Sequence, residues 1–238
     1  PFSILVLNRH YHPVGTTDQI HRAAYPQLFS VGNDPVGDIC LFIDFKSPYA
    51  YLAIAPTRLL ERDFDVRLDW MPLTLNIPDY LDAVETRRPH AWRRVRYSYM
   101  DARRLANKVG LTVLGPKKIF DTRIASIALM YAKGKPGFDR FVDLCFERFF
   151  RRQLDIENEQ VMAALLQEAG IDASGFSAYL HGPGSAQHDA ERIRTEEELG
   201  VFGVPSVVIR GEIFWGGDRI DLARERLEQL GLKRKAAS

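Results

Sequence analysis

The spacing of apolar positions changes character several times along this chain. Ile39-Cys40-Leu41-Phe42-Ile43 is an unbroken apolar run, which predicts a short buried strand. After Ser47-Pro48 the period becomes helical, with Tyr49, Leu52, Ala53, Pro56, Leu59 and Leu60 recurring on one side. Ser47 is a favoured N-cap and Pro48 a favoured first helical residue, while Pro56 predicts a kink. From Val66 to Met71 the period is that of a half-buried strand, Val66, Leu68 and Trp70 alternating with Arg67 and Asp69. Strand, helix and strand at this spacing make a βαβ unit with parallel strands.

Residues 77–199 carry helical patterns throughout, with segments at Trp92–Val109, Ile119–Ala132, Phe138–Phe150, Asn158–Ala169 and Ala186–Leu199. Gly170 and Gly200 are suitable stops for the last two of these. Strand patterns return in Pro205–Ile209 and Glu212–Trp215, which flank Arg210-Gly211 as a hairpin. Asp218 is expected to cap a final helix with Ile220, Ala223, Leu227 and Leu230 on its apolar face. Asp221 is placed as in a capping box, and Gly231 ends the helix. The order βαβ, helical insert, ββα predicts an α/β thioredoxin-like fold with a large all-helical insertion. Residues 38–76 and 200–232 form the thioredoxin-like domain, 77–199 the inserted helical subdomain, and 233–238 a frayed basic tail. Residues 1–37, rich in His, Pro and Gly, are expected to be an N-terminal extension that is either poorly ordered or peripherally packed, its role left open.

Composition narrows the classes of function. Lys and Arg number 32 against 31 Asp and Glu, a net charge of +1, so neither nucleic acid nor an acidic membrane is expected as a partner. No apolar stretch is long enough to span a bilayer. Cys40 and Cys145 sit among apolar neighbours with no CxxC and no zinc spacing, which predicts inert buried thiols. His10, His12 and His21 lack acidic or cysteine ligands in a compact register, so no metal is expected. The first residues lack the basic, apolar and small-residue order of a signal peptide, and the chain is expected to be cytoplasmic.

The candidate chemistry lies at the ends of the predicted strands. It comprises Asp44-Phe45-Lys46-Ser47-Pro48-Tyr49-Ala50-Tyr51-Leu52, Gly200-Val201-Phe202-Gly203-Val204-Pro205-Ser206, and Phe214-Trp215-Gly216-Gly217-Asp218-Arg219. Together these segments closely resemble the 2-hydroxychromene-2-carboxylate isomerases, DsbA-like members of the thioredoxin superfamily related to the kappa-class glutathione transferases. The resemblance spans residues 38–231.

In redox thioredoxin-like proteins the attacking cysteine occupies the position of Ser47, where the helix N-terminus lowers a thiol pKa. Here Ala50 also replaces the second cysteine, so dithiol exchange is excluded. The resemblance implies that Ser47 hydrogen-bonds the sulfur of glutathione and is the catalytic residue. It implies a cis bond between Val204 and Pro205, exposing the Val204 backbone to an extended peptide. Gly217, Asp218 and Arg219 are then expected to hold the γ-glutamyl end, with Asp218 accepting from its ammonium, and Asn76 to make a further contact. Tyr97, Asp101, Arg104 and Ala106 are similar to a run in the family's insert, whereas Lys118-Ile119-Phe120-Asp121-Thr122 departs from its pattern. Arg103, Arg104 and Lys118 are candidates for pairing a substrate carboxylate.

The reading that results is a glutathione-dependent isomerase for 2-hydroxychromene-2-carboxylate or a related unsaturated aromatic carboxylate. A kappa-like transferase and a non-catalytic thioredoxin-like binding module are its rivals. The extension is a place for a homodimer contact or a partner, and the sequence leaves both open.

Overall fold

The computed structural model describes residues 38–77 and 86–235. Its centre is a mixed four-stranded sheet in the order β2-β1-β3-β4. β1 (Asp38–Ile43) and β2 (Arg67–Pro72) pair in parallel, Ile39 opposite Leu68, and α1 (Pro48–Asp63) crosses between them. Both neighbours of β1 are strands, and Leu41 and Phe42 are fully buried, which is why its sequence is apolar without alternation.

α2 (Pro89–Lys108), α3 (Arg123–Ala132), α4 (Phe138–Phe150), α5 (Glu159–Glu168), α6 (Phe176–Leu180) and α7 (Pro183–Ile193) all fall between β2 and β3 in the chain. A π-helical turn, Arg194–Glu198, follows α7. β3 (Ser206–Ile209) runs antiparallel to β1, with Ser206 opposite Phe42, and forms a hairpin with β4 (Glu212–Trp215). Arg210 and Gly211 both adopt left-handed φ, 51° and 80°, as a two-residue hairpin turn requires. α8 (Ile220–Gln229) completes the thioredoxin-like order with its helical insertion.

The insert is joined to α1 by aromatic rings. Tyr51 stacks on Phe146 at 5.3 Å and on Phe150 at 5.4 Å. Phe45, two residues before Ser47, packs on Phe146 at 4.8 Å and on Phe141 at 6.1 Å. Such pairs contribute about 0.5–1.5 kcal/mol each beyond the area they bury. The loop that carries Ser47 is thereby fixed to α4 as well as to the sheet.

Several expectations are corrected. α3 begins at Arg123, not Ile119, because the preceding residues make other contacts: Phe120 packs on Phe149 and Thr122 bonds Asp44. α7 begins at Pro183, not Ala186, and α6 was not anticipated. Asp218 is not the cap of α8. It lies inside a 3-10 turn, Gly217–Arg219, that precedes the helix, and it pairs with Arg219 at 2.5 Å. No side chain caps α8, so Asp221 is not part of a capping box. The basic tail is tethered where it starts. Arg234 donates to the carbonyls of Glu61, Asp63 and Phe64, which the end of α1 leaves without partners, and Lys233 forms a bridge with Phe64. Both cysteines are free, and burial pushes the Cys40 thiol up to about 11 and holds the Cys145 thiol well above its ordinary value. The extension 1–37, with its histidines, lies outside the described residues.

One glycine at the entry to α4 gives a direct test of this packing. Gly137 has φ +93°, and a Cβ built there would stand 2.2 Å from the Ala169 carbonyl oxygen. Gly137→Ala should therefore destabilise the fold by roughly 2–4 kcal/mol through strain and overpacking. Chemical denaturation should show a lower midpoint at unchanged slope, and an unchanged midpoint would contradict the close approach of α4 to the end of α5.

Candidate active site

The loop between β1 and α1 is organised by a buried carboxylate. Asp44 is 1% exposed. Its Oδ1 accepts from the Lys46 N–H at 3.1 Å and from the Thr122 hydroxyl at 2.7 Å. Its Oδ2 accepts from the Leu75 N–H at 2.8 Å and lies 3.3 Å from the Lys46 ammonium. That ammonium also donates to Thr122 Oγ1 at 3.3 Å. Thr122 stands at the N-cap position of α3, yet its hydroxyl serves Asp44 and not the helix. Three segments, from β1, β2 and α3, are thus tied at one group.

Ser47 follows directly. Its backbone is extended, its N–H donates to the Asp44 carbonyl at 2.9 Å, and its Oγ accepts from the Ala50 N–H at 3.2 Å. The serine is buried at the N-terminus of α1, where first-turn N–H groups have no intrahelical acceptor. The hydroxyl proton remains free to donate to an anion. Next to it, the Tyr49 hydroxyl donates to Asp101 Oδ2 at 3.0 Å, and burial together with that bond pushes its pKa up to about 12. Asp101 is therefore used to position Tyr49 and so to hold α2 against α1.

The Val204–Pro205 peptide bond is cis, as expected from the sequence. It immediately precedes β3, and the β1–β3 register, continued by one residue, sets Pro205 opposite Ile43. Ser47 and Val204 thus lie at the same end of the sheet. Among the described residues neither the N–H nor the C=O of Val204 bonds another backbone group. Gly203 is required beside it, because an added Cβ would meet the Trp215 indole nitrogen at 2.6 Å. The same indole packs on Phe202 at 4.8 Å. The Gly217-Asp218-Arg219 turn lies against the helix that Ser47 begins, and a Cβ built at Gly217 would stand 3.8 Å from Ala53 of α1. Asp218 and Arg219 are exposed and paired to each other. Asn76 is exposed one residue after Leu75, which Asp44 holds.

The other expected residues lie elsewhere. Arg103 and Arg104 are on the exposed face of α2, bonding Tyr99 O and Met100 Sδ, and Lys118 is paired with Glu157. A second buried network was missed in the sequence. Thr74 Oγ1 lies 3.0 Å from both Ser126 Oγ and His188 Nε2, while Arg123 donates to His188 Nδ1 at 3.0 Å. Because arginine only donates, Nδ1 is the acceptor and the ring proton sits on Nε2, donated to Thr74. Asp189 is 3.7 Å from Nδ1, beyond hydrogen-bond distance, and is engaged by Arg123. Burial, reinforced by the Arg123 charge, holds the His188 pKa below the ordinary imidazole value. No local motif announces this set, since its members come from three separate segments, the chain after β2, α3 and α7. No group of potential metal ligands occurs among the described residues, and no described helix is long and apolar enough to cross a membrane.

Two outcomes follow from these networks. Asp44→Ala should cost about 3–5 kcal/mol, because it strands the Lys46 ammonium in a buried site. Adding Lys46→Met should recover only part of that loss, since the Leu75 and Lys46 N–H groups stay unpaired; full additivity of the two substitutions would show that the pair is not coupled. His188 is neutral in the folded state and binds its proton more readily when unfolded. Its contribution is complete above about pH 6.5, the ordinary imidazole value, and is lost as the pH falls toward the lower folded value. Melting temperatures measured from pH 7.5 to 5 should fall, and His188→Gln should flatten that limb; a limb of equal slope in both proteins would contradict the assignment.

Comparison with known proteins agrees with this geometry. Residues 38–228 match the family model of the DSBA-like thioredoxin domain. The resemblance to the 2-hydroxychromene-2-carboxylate isomerases holds over most of the chain. A protein of that name from Sphingobium xenophagum is 25% identical over 79% of this chain and 97% of its own. A solved 2-hydroxychromene-2-carboxylate isomerase superimposes with a TM-score of 0.65 at 22% identity, covering 82% of this chain and 96% of the other. The cytosolic disulfide reductase DsbM of Pseudomonas aeruginosa, solved with GSH, has a TM-score of 0.54 at 17% identity, covering 82% of this chain and 100% of its own. With the matched span running from β1 into α8, the chain belongs to the DsbA-like thioredoxin domain family.

Proposed function

We propose that this protein is a glutathione-dependent cis–trans isomerase acting on 2-hydroxychromene-2-carboxylate or a related unsaturated aromatic carboxylate. One observation carries the reading: a thioredoxin-type helix N-terminus in which Ser47 and Ala50 stand where a dithiol would be, at the same sheet end as a cis Val204–Pro205 bond. The relatives' name supports the reaction, and the related reductase solved with GSH supports the ligand. A cytoplasmic setting, where glutathione is held reduced, is consistent with both.

The residues present fit an extended tripeptide with a thiolate. The unbonded Val204 N–H and C=O offer a strand-like pair of contacts. Ser47, Asn76, Val204, Pro205, Gly217, Asp218 and Arg219 would hold the glutathione. When bound, it supplies a thiolate that adds reversibly to a conjugated double bond, so that rotation can occur before it leaves. The Ser47 hydroxyl donates toward the sulfur while the α1 N-terminus favours its negative charge. Asp44 keeps the serine in place, and the turn at Asp218 offers a carboxylate to the γ-glutamyl ammonium once Arg219 yields it.

The decisive measurement is the titration of the bound thiol. Ser47→Ala removes one donor to a charged sulfur, worth roughly 1.5–3 kcal/mol, so the thiol pKa should rise by about one to two units. The fold should survive, since a lost N-cap costs about 1 kcal/mol. Ultraviolet thiolate absorbance is followed against pH with glutathione saturating. Equal titration in wild type and Ser47→Ala would reduce Ser47 to a helix cap and overturn the mechanism. Turnover without glutathione consumption separates isomerase from transferase.

A further inference from the structure

Five helices among the described residues end on a left-handed residue just past the cap. Four of them use glycine there: Gly110 after α2, Gly134 after α3, Gly170 after α5 and Gly231 after α8. α4 uses Arg152, with φ 60°. Its N–H donates to the Phe149 carbonyl, and the Gln153 N–H to that of Arg148, so the backbone needs a left-handed residue but not an arginine. A side chain kept in a backbone conformation that disfavours it points to a use for that side chain.

The use is visible beside it. Arg152 lines a cavity of about 460 Å³ between the end of α4 and the segment leading to α3. Leu114, Phe120, Phe149 and Leu154 supply apolar walls, and Lys117 and Arg152 supply positive charge. The Arg152 Nε–H donates to the Gly115 carbonyl at 2.8 Å, which fixes the plane of the guanidinium and leaves its terminal nitrogens free of any ion pair among the described residues. Lys118 and Glu157, also at the cavity, neutralise each other, with the Lys118 ammonium over the Phe120 ring. Asp155 is the remaining carboxylate; its Oδ1 accepts from the Glu157 N–H. Two cations therefore face one carboxylate at the rim of an apolar recess. None of Ser47, Asn76, Val204 or Asp218 lines it.

We propose that this cavity is a separate binding site for a small carboxylate with a flat apolar body. The carboxylate pairs with the Arg152 guanidinium and the Lys117 ammonium, and the body lies between Phe120, Phe149, Leu114 and Leu154. The size falls within that of small-molecule pockets, and apolar walls stand beside the charges of Arg152 and Lys117. The site stands independently of the isomerase reading, since it shares no residue with the thiolate site.

The test uses 2-naphthoate and its neutral isostere 2-naphthamide, titrated calorimetrically into the full chain. Saturable one-site binding of the naphthoate is expected, with the amide at least tenfold weaker. Arg152→Gly should weaken naphthoate binding about 10- to 100-fold, the range for a lost charged hydrogen-bonding partner. Because glycine accepts the left-handed conformation, its unfolding midpoint should be equal to or above that of wild type. Lys117→Gln, at an exposed position, should weaken binding about 2- to 5-fold. Absence of saturable binding, equal affinity for the amide, or unchanged affinity in folded Arg152→Gly would each overturn the proposal.

Discussion

Asp44 accepts from four donors with two oxygens, and this single carboxylate sets the geometry of everything around Ser47. A carboxylate with ordinary lone-pair capacity is saturated by such a set, so its burial leaves no acceptor unmet. The donors come from its own loop, from the chain leaving β2 and from the start of α3. No pair of these segments is close in sequence, and backbone propensity alone would not bring them together. Desolvating a charge is expensive, and the adjacent Lys46 ammonium offsets much of that expense only while the whole set is assembled. The consequence is a tightly held loop, as the role proposed for the Ser47 hydroxyl requires.

The His188 network extends this logic one layer outward. Thr74 lies between Leu73 and Leu75 on the segment that Asp44 holds, and its hydroxyl reaches Ser126 and His188 on the opposite side. A neutral imidazole between Thr74 and Arg123 bridges the insert to the end of β2 without introducing another buried charge. The Arg123 charge is matched by Asp189 at the surface, where screening lowers the expense of the pair. The insert therefore meets the thioredoxin-like part through polar contacts at Asp44, Thr74 and Asp69 and through aromatic ones, the Phe146 and Phe150 rings on Tyr51 of α1 and the Phe138 ring on Trp70 of β2.

What was legible in the sequence followed from local rules. The buried run of β1, the Ser47-Pro48 helix start, the Arg210-Gly211 hairpin and the glycine stops each depend on a few neighbouring residues, and each stands where its pattern placed it. The Asp218 cap failed because an extra 3-10 turn moves the start of helical structure to Gly217, and no local signal distinguishes that from a plain cap. Ile119–Thr122 read as helix because their composition permits it, but tertiary bonds to Asp44 and Glu157 hold them out of it. The tail was misread for the same reason: Arg234 finds its acceptors on a helix end about 170 residues earlier in the chain. Asp44 belongs to a recognisable motif, yet nothing in the sequence says that its partners are Leu75 and Thr122.

The replacement of sulfur at Ser47 and Ala50 changes what the same physical environment is for. In a dithiol protein, first-turn N–H groups and the helix dipole stabilise a thiolate belonging to the chain, and that thiolate is spent in exchange. With a serine there, the environment stays favourable for negative charge but the chain offers none. A hydroxyl stays neutral at any physiological pH and cannot satisfy the field itself, whereas it can donate into an anion brought by a ligand. The surrounding structure is rigid where that anion would sit, through Asp44 and Phe45. It is exposed where a ligand's ends would emerge, at Asn76 and Asp218. Under the proposed function, the absence of dithiol chemistry and the thiolate site are thus two sides of one feature, set at two residues within an otherwise thioredoxin-like fold.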